Sequence, residues 1–399
     1  MQRTLKNLYK SNFLPCFKAP APFIFKSPYL SLSHKKFYNF STEPESKVPQ
    51  NLAEKLDNAT ALFHERNYTE SLRLFHECLR SFKEHGLEQD LDAAYAHFIV
   101  SRIHHEKNEH EQAVIAGEKA FKISEKAEKE YGMLNQLSVL TSILGISYMK
   151  LKNYDKAEEY LRKCLHYKLR SEEPQLVIGN YHEILGQCLL KNGKTQEALD
   201  HFMQAAELLS VNKKELSKLG SVYYEIGEVY LSLGQKEDAL NYYTKAIENK
   251  AFEKNAVQQA YAASKAGLLA AKIKQQTLAK DLSNKAIEIA TQCPADQTVL
   301  AVYSNIEQIY KELGQPLEAL NVFKGILSSL PENSIAVNQI LKSITYMLAG
   351  VGTKQQDINF LRDLISAHIK KYGENSPQLV FYYHHLANFD KNAMRYNEA

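Results

Sequence analysis

Between residues 154 and 169 the apolar positions Tyr154, Ala157, Leu161, Cys164 and Leu165, closed by Tyr167 or Lys168, fall at intervals of three and four. Lys156, Glu158, Glu159, Arg162 and Lys163 lie mostly off that stripe. One apolar face with a 3.6-residue period predicts an amphipathic helix that needs a neighbour to pack on. The same rhythm recurs along most of the chain. Short breakers interrupt it, such as the turn residues at 191–193 (Lys-Asn-Gly) and 233–235 (Leu-Gly-Gln). Asparagine and glycine at these points supply turn chemistry, so the pattern predicts pairs of antiparallel helices joined by tight turns.

The pairs recur at a fixed interval. Gly145, Gly186 and Gly227 step by 41 residues, as do Ala157, Ala198 and Ala239. The alanine series continues to Ala279 and Ala319 in steps of 40, and backwards to Ala113 and a serine, Ser71. Beyond Ala319 the equivalent position blurs near Ile358, and the one after it is Ala399. Self-similarity of this kind marks a repeat architecture, because one hairpin cannot bury both of its faces alone. Small residues at a helix crossing let the axes approach, so Gly145 is expected to face the region of Ala157. Tyr148, Tyr230, Tyr310, Phe202, Tyr243 and Phe323 are expected to fill the space between neighbouring hairpins.

These positions resemble the tetratricopeptide repeat, whose pattern is W-x2-L-G-x2-Y, then A-x3-F, then a small residue and proline. Tyr223, Ile226, Gly227 and Tyr230 match its first half, and Ala239, Tyr243 and Ala246 its second. Ala319, Phe323 and Pro331 match again, whereas tryptophan is absent, Glu307 stands where glycine belongs, and the unit around 334–371 departs from the pattern. The family period is about 34 residues. The longer step of 40–42 resembles the kinesin light chain subclass over roughly residues 50–399. The resemblance implies an all-α fold, a right-handed superhelical solenoid of antiparallel hairpins, with a concave groove made by the first helix of each hairpin.

Charge divides the chain differently. Residues 1–42 hold Arg3, Lys6, Lys10, Lys18, Lys26, Lys35 and Lys36 and no acid, so the remaining 42 cations face 46 anions, a balance of −4. The formal +3 therefore belongs to the leader and gives no footing for a nucleic-acid-binding body. Arg3, Lys6 and Lys10 lie opposite Leu5, Leu8 and Tyr9 on a helical wheel, the amphipathic, acid-free character of a mitochondrial transit peptide. Cleavage is expected near Ser41. The domain reading is a disordered transit peptide at 1–42, a linker at 43–50, and about eight hairpins over 51–399. A C-terminal half-repeat completes it: a capping helix from Pro377 to about Lys391, then the turn and first half-turn of a ninth unit in the closing residues "MRYNEA", Met394 to Ala399.

Chemistry-bearing motifs are missing from the sequence. There is no Walker loop, dinucleotide fingerprint, nucleophile elbow or HExxH. His97, His104, His105 and His110 lack the i, i+4 spacing of helical metal ligands, and Cys78, Cys164, Cys188 and Cys293 lack any metal spacing. No enzyme activity, cofactor, metal or small-molecule substrate is expected. The working surface is expected in the groove, at Asn180, Glu183, Gln187, Tyr224, Glu228, Ser304 and Gln308. Amides there suit the backbone of an extended peptide, and two carboxylates favour a basic partner and repel a carboxylate-terminated one. The resulting reading is a mitochondrial protein-protein interaction scaffold, in the matrix or at the matrix face of the inner membrane. Its role would be that of an assembly factor or peripheral subunit of a large inner-membrane or ribosomal complex, with any membrane contact peripheral. Two alternatives stand beside it: a cytosolic cargo or signalling adaptor like the kinesin light chain, and an RNA-associated helical repeat protein.

Overall fold

The computed structural model describes residues 48–131, 134–211, 216–249, 256–294, 296–331, 334–348 and 354–395. The leader, the linker up to residue 47 and the last four residues lie outside them. Every regular element among the described residues is a helix, and the helices pair as hairpins: α1 (Gln50–His64) with α2 (Tyr68–Glu84), α3 (Leu91–Glu106) with α4 (His110–Tyr131), α5 (Leu134–Lys150) with α6 (Tyr154–Arg170), and α7 (Gln175–Lys191) with α8 (Thr195–Ser210). The chain continues with α9 (Leu216–Ser232) and α10 (Lys236–Glu248), α11 (Ala256–Lys272) and α12 (Gln276–Thr291), α13 (Gln297–Glu312) and α14 (Pro316–Ser329), α15 (Ala336–Leu348) and α16 (Lys354–Tyr372), and α17 (Leu379–Arg395). It divides into two compact units at Leu208, in the last turn of α8.

One turn geometry builds the first seven hairpins. Three residues link the helices, and the middle one is left-handed: Arg66, Asn108, Lys152, Gly193, Gly234, Lys274 and Gly314 all have φ between 60° and 80°. Around Lys152, its N–H donates to the Met149 carbonyl and the N–H of Asn153 to the Tyr148 carbonyl, both at 3.0 Å. This crossed pair closes a helix C-terminus whose last carbonyls have no partner within the helix. Asn153 then starts α6, its side chain accepting from the Lys156 N–H at 3.3 Å and its carbonyl from the Ala157 N–H at 3.0 Å. Five residues separate the left-handed residue from the periodic alanine or serine in every case.

The small residues of the two helices meet twelve positions apart in sequence. Ala59, Ser101, Gly145, Gly186, Gly227 and Gly267 on the first helix correspond to Ser71, Ala113, Ala157, Ala198, Ala239 and Ala279 on the second. The two serines bridge the crossing: Ser71 Oγ donates to the Ala59 carbonyl at 2.8 Å, and Ser101 Oγ to the Ala113 carbonyl at 2.7 Å. The structure corrects which residue each glycine accommodates. A Cβ on Gly145 would stand 2.7 Å from Leu161 Cγ, one on Gly186 2.9 Å from Phe202 Cε1, and one on Gly227 2.7 Å from Tyr243 Cδ1. The glycine makes room for the side chain one turn beyond the alanine, because a helical side chain leans toward its own N-terminus. Phe202 and Tyr243 thus pack inside their own hairpins.

Successive hairpins are tied by polar contacts spaced about one repeat. In the first unit Lys156 pairs with Glu118 at 2.9 Å, Arg170 with Glu128 at 2.6 Å, and Lys194 with Glu158 at 2.7 Å. Glu158, which the helical stripe placed mostly off the packed face, is only 7% exposed because the next hairpin covers it. Burial opposes its charge, yet Lys194, Asn192 and Arg162 donate to it and hold its carboxyl below the usual range. In the second unit Lys265 pairs with Glu228 and Lys280 with Glu318, each at 2.7 Å.

At the C-terminal end the repeat interval fails. It requires a turn centred on Met394, five residues before Ala399, but α17 runs unbroken through Arg395 and packs on α15 and α16. Residues 396–399, the rest of the expected half-repeat, lie outside the described residues. Ile358, where the periodic alanine blurs, is buried on α16.

Candidate protein-binding surface

Along part of each unit the first helices form a row. α1 touches α3, α3 touches α5, α11 touches α13, α13 touches α15, and α15 touches α17. Second helices approach one another far less, so in each unit the row of first helices lies on the tighter side. Small residues accompany the closest of these contacts, α11 on α13: Ala260, Ala263, Ala266, Gly267 and Ala270 are buried on α11, a Cβ on Gly267 would stand 3.0 Å from Ile309 Cδ1 of α13, and Asn305 Nδ2 donates to Ser264 Oγ at 2.9 Å. Polar side chains in the remaining positions of the row are the candidates for partner contact.

The seven predicted residues all lie on first helices, three in the first unit and four in the second. Asn180, Glu183 and Gln187 share a face of α7 in the first unit, all half-buried. Tyr224 and Glu228 on α9, with Ser304 and Gln308 on α13, belong to the second unit. Gln308 is exposed, and Ser304 Oγ donates to the Leu300 carbonyl of its own helix at 3.2 Å.

Glu228 and Tyr224 are engaged internally. Glu228 accepts from the Tyr243 hydroxyl and from Lys265 Nζ at 2.7 and 2.8 Å. The same ammonium lies 5.3 Å from the Tyr261 ring centre and 5.9 Å from that of Tyr224. The Tyr224 ring sits 5.6 Å from that of Tyr243 and 6.4 Å from that of Tyr261, and burial pushes the Tyr224 phenol well above its ordinary range. The carboxylate that favoured a basic partner is therefore already neutralised. Tyr243 was read for packing alone, and Lys265 and Tyr261 carry no motif of their own; Lys265 stands 37 residues after Glu228 in sequence, close to one repeat.

The histidines and cysteines also find local places. His104 Nδ1 is 2.6 Å from Glu109, and His105 Nδ1 is 3.0 Å from Ser147 Oγ. His182 and His201, on the two helices of one hairpin, bring their Nδ1 atoms to 2.9 Å, so one donates and the other accepts. Cys78, Cys164 and Cys188 are buried, and burial pushes the Cys78 thiol up to about 11 and that of Cys164 to about 12. Among the described residues no three His, Cys, Asp or Glu side chains converge as metal ligands.

Comparison with known proteins agrees with the hairpin geometry. The family model described as tetratricopeptide repeat matches residues 136–210 and again 177–251, so that each match covers two hairpins and the second begins 41 residues after the first. The two matches together span residues 136–251. Helical hairpins with the same turn geometry flank them in the structure. The C-terminal part of a TPR repeat-containing protein from Cytophaga hutchinsonii is similar in fold at 17% identity, covering 71% of this chain and 98% of that one with a TM-score of 0.50. A putative kinesin light chain with nearly identical TPR-like repeats from Podosopora anserina matches 48% of this chain and 95% of its own, at 16% identity and a TM-score of 0.41. The protein BtubC (BKLC) from P. vanneervenii matches 61% and 93%, at 15% identity and a TM-score of 0.44. No curated protein sequence matches at a significant level.

Proposed function

We propose that the chain is a non-catalytic scaffold that holds a protein partner along its rows of first helices. The observation that carries this reading is the division of labour within the hairpins. Small and aromatic residues at fixed intervals are consumed by packing, while the position after the small residue varies from repeat to repeat, as Ile146, Gln187, Glu228, Leu268 and Gln308. Such arrays present extended surfaces for protein segments. Glu228 is held by Lys265 and so gives a basic partner no support.

We further place this scaffold in mitochondria, at the matrix or the matrix face of the inner membrane, as an assembly factor or peripheral subunit of a large complex. The seven cations and absence of acids in residues 1–42 support that address. No helix among the described residues is long and apolar enough to cross a membrane. Incubation of the radiolabelled full chain with energised mitochondria should yield a protease-protected product shortened to near Ser41, and removal of residues 1–42 should abolish uptake. Uptake of the truncated chain at the same rate would refute the mitochondrial assignment.

A further inference from the structure

The exposed side chains of α13, α15 and α17 form one continuous strip in the second unit. On α15 Asn338, Lys342 and Tyr346 recur every four residues and are all exposed, Tyr346 by 62%. Lys311 of α13 flanks them: its Nζ is 5.5 Å from the centre of the Tyr346 ring and 3.4 Å from the hydroxyl. Gln308, almost one turn earlier, is exposed on the same side of α13. On the other flank His385 Nε2 of α17 is 3.0 Å from Asn338 Oδ1, and the Lys342 charge reaches the His385 ring. Phe381, one turn before His385, is 39% exposed.

On α15 and the first two turns and more of α17 the strip carries no acid. No Asp or Glu occurs from Ser334 to Gln356 or from Asn375 to Phe389. On α13, Glu307 accepts the Ser343 hydroxyl and Glu312 stands at the helix end. The ion pairs of this unit among the described residues, Lys265 with Glu228 and Lys280 with Glu318, leave Lys311 and Lys342 without a carboxylate.

We propose that this strip is the docking site for an acidic segment of a partner protein: an extended stretch with two or more Asp or Glu residues around an aromatic or aliphatic one. Opposite charge selects and orients such a segment. The side-chain amides of Gln308 and Asn338 suit its backbone, and the Tyr346 ring, beside Lys311, takes its apolar residue. Two lysines are few for a nucleic acid, whose binding grows with the number of phosphates neutralised. The proposal rests on the scaffold reading above and names the chemistry of the partner at one end of it.

Fluorescence anisotropy of the full chain tests this with three labelled probes of equal length: a glutamate-glycine peptide with one central tyrosine, its lysine-glycine counterpart, and oligouridylate. The glutamate peptide should bind best. Its affinity should fall about tenfold or more in K311E/K342E, by less in the milder K311Q/K342Q, and steadily as salt rises. Equal affinity in both variants, no binding of the glutamate peptide to the folded wild type, or preference for the lysine peptide or the oligonucleotide would each overturn the proposal. Capture from a native extract separates it from the scaffold reading. If wild type and K311E/K342E retain the same proteins equally, the acidic site falls and the scaffold stands; if wild type retains none, both fall.

Discussion

At the residue scale the structure turns on what a single Cβ would meet. Gly186 faces Phe202, which is fully buried, with its ring atoms 2.9 to 3.1 Å from the place of a Cβ. The Gly186→Leu variant should therefore lose about 1 to 3 kcal/mol through overpacking. Gly325 meets nothing within 4 Å and serves as its control; Gly325→Ala should be neutral or gain up to about 1 kcal/mol from helix propensity. Chemical denaturation of the two variants checks the register, and an unchanged midpoint for Gly186→Leu would contradict it. Sequence spacing located Gly186, but its contact residue follows from the lean of the Phe202 side chain, which spacing does not carry.

At the scale of the element, the turns hold an unused margin of stability. Lys152 and Lys274 occupy the left-handed position with φ of 60° and 64°, where three other hairpins place glycine. A side chain there crowds its own backbone, while glycine gives back part of the gain through greater freedom in the unfolded chain. Lys152→Gly and Lys274→Gly should each stabilise by about 0.5 to 1 kcal/mol, read as a higher melting temperature. A lower one would show that these lysines make contacts that outweigh the strain. The glycine-containing turns were legible from the sequence, and the lysine-centred ones became legible only through the shared interval of five residues to the alanine or serine.

Across the whole molecule, half-buried and buried histidines contribute to the response to acid. Burial pushes His97, His105 and His182 down to about 4, with Lys119 and His76 adding to the effect at His97, His110 and Lys150 at His105, and His201 at His182. Unfolded histidine titrates near 6.5, so between about 6.5 and 4 the unfolded chain binds more protons than the folded one. The stability these groups contribute is complete above about 6.5 and is lost as pH falls through that window. All three lie in the first unit. Hydrogen exchange at pH 5 against pH 7.5 should thus open the first unit more than the second, and His182→Gln should lessen the difference. Equal opening in both units would contradict the assignment.

The sequence by itself determined the hairpins, their interval and the positions where small residues are compulsory, because helix period and close packing are local demands written every 40 to 44 residues. It also placed all seven candidate residues on first helices. Only the tertiary structure decided which charges are available. Glu228 and Lys265 are 37 residues apart and cancel, whereas Lys311 and Lys342 stand 31 apart and have no such partner among the described residues. The C-terminal strip was unreadable because the glycine and alanine series that supplies the register ends at Ala319. Stacking, which no single repeat encodes, brings residues one repeat apart within a few ångströms and so fixes the sign and the place of the charge that a partner meets.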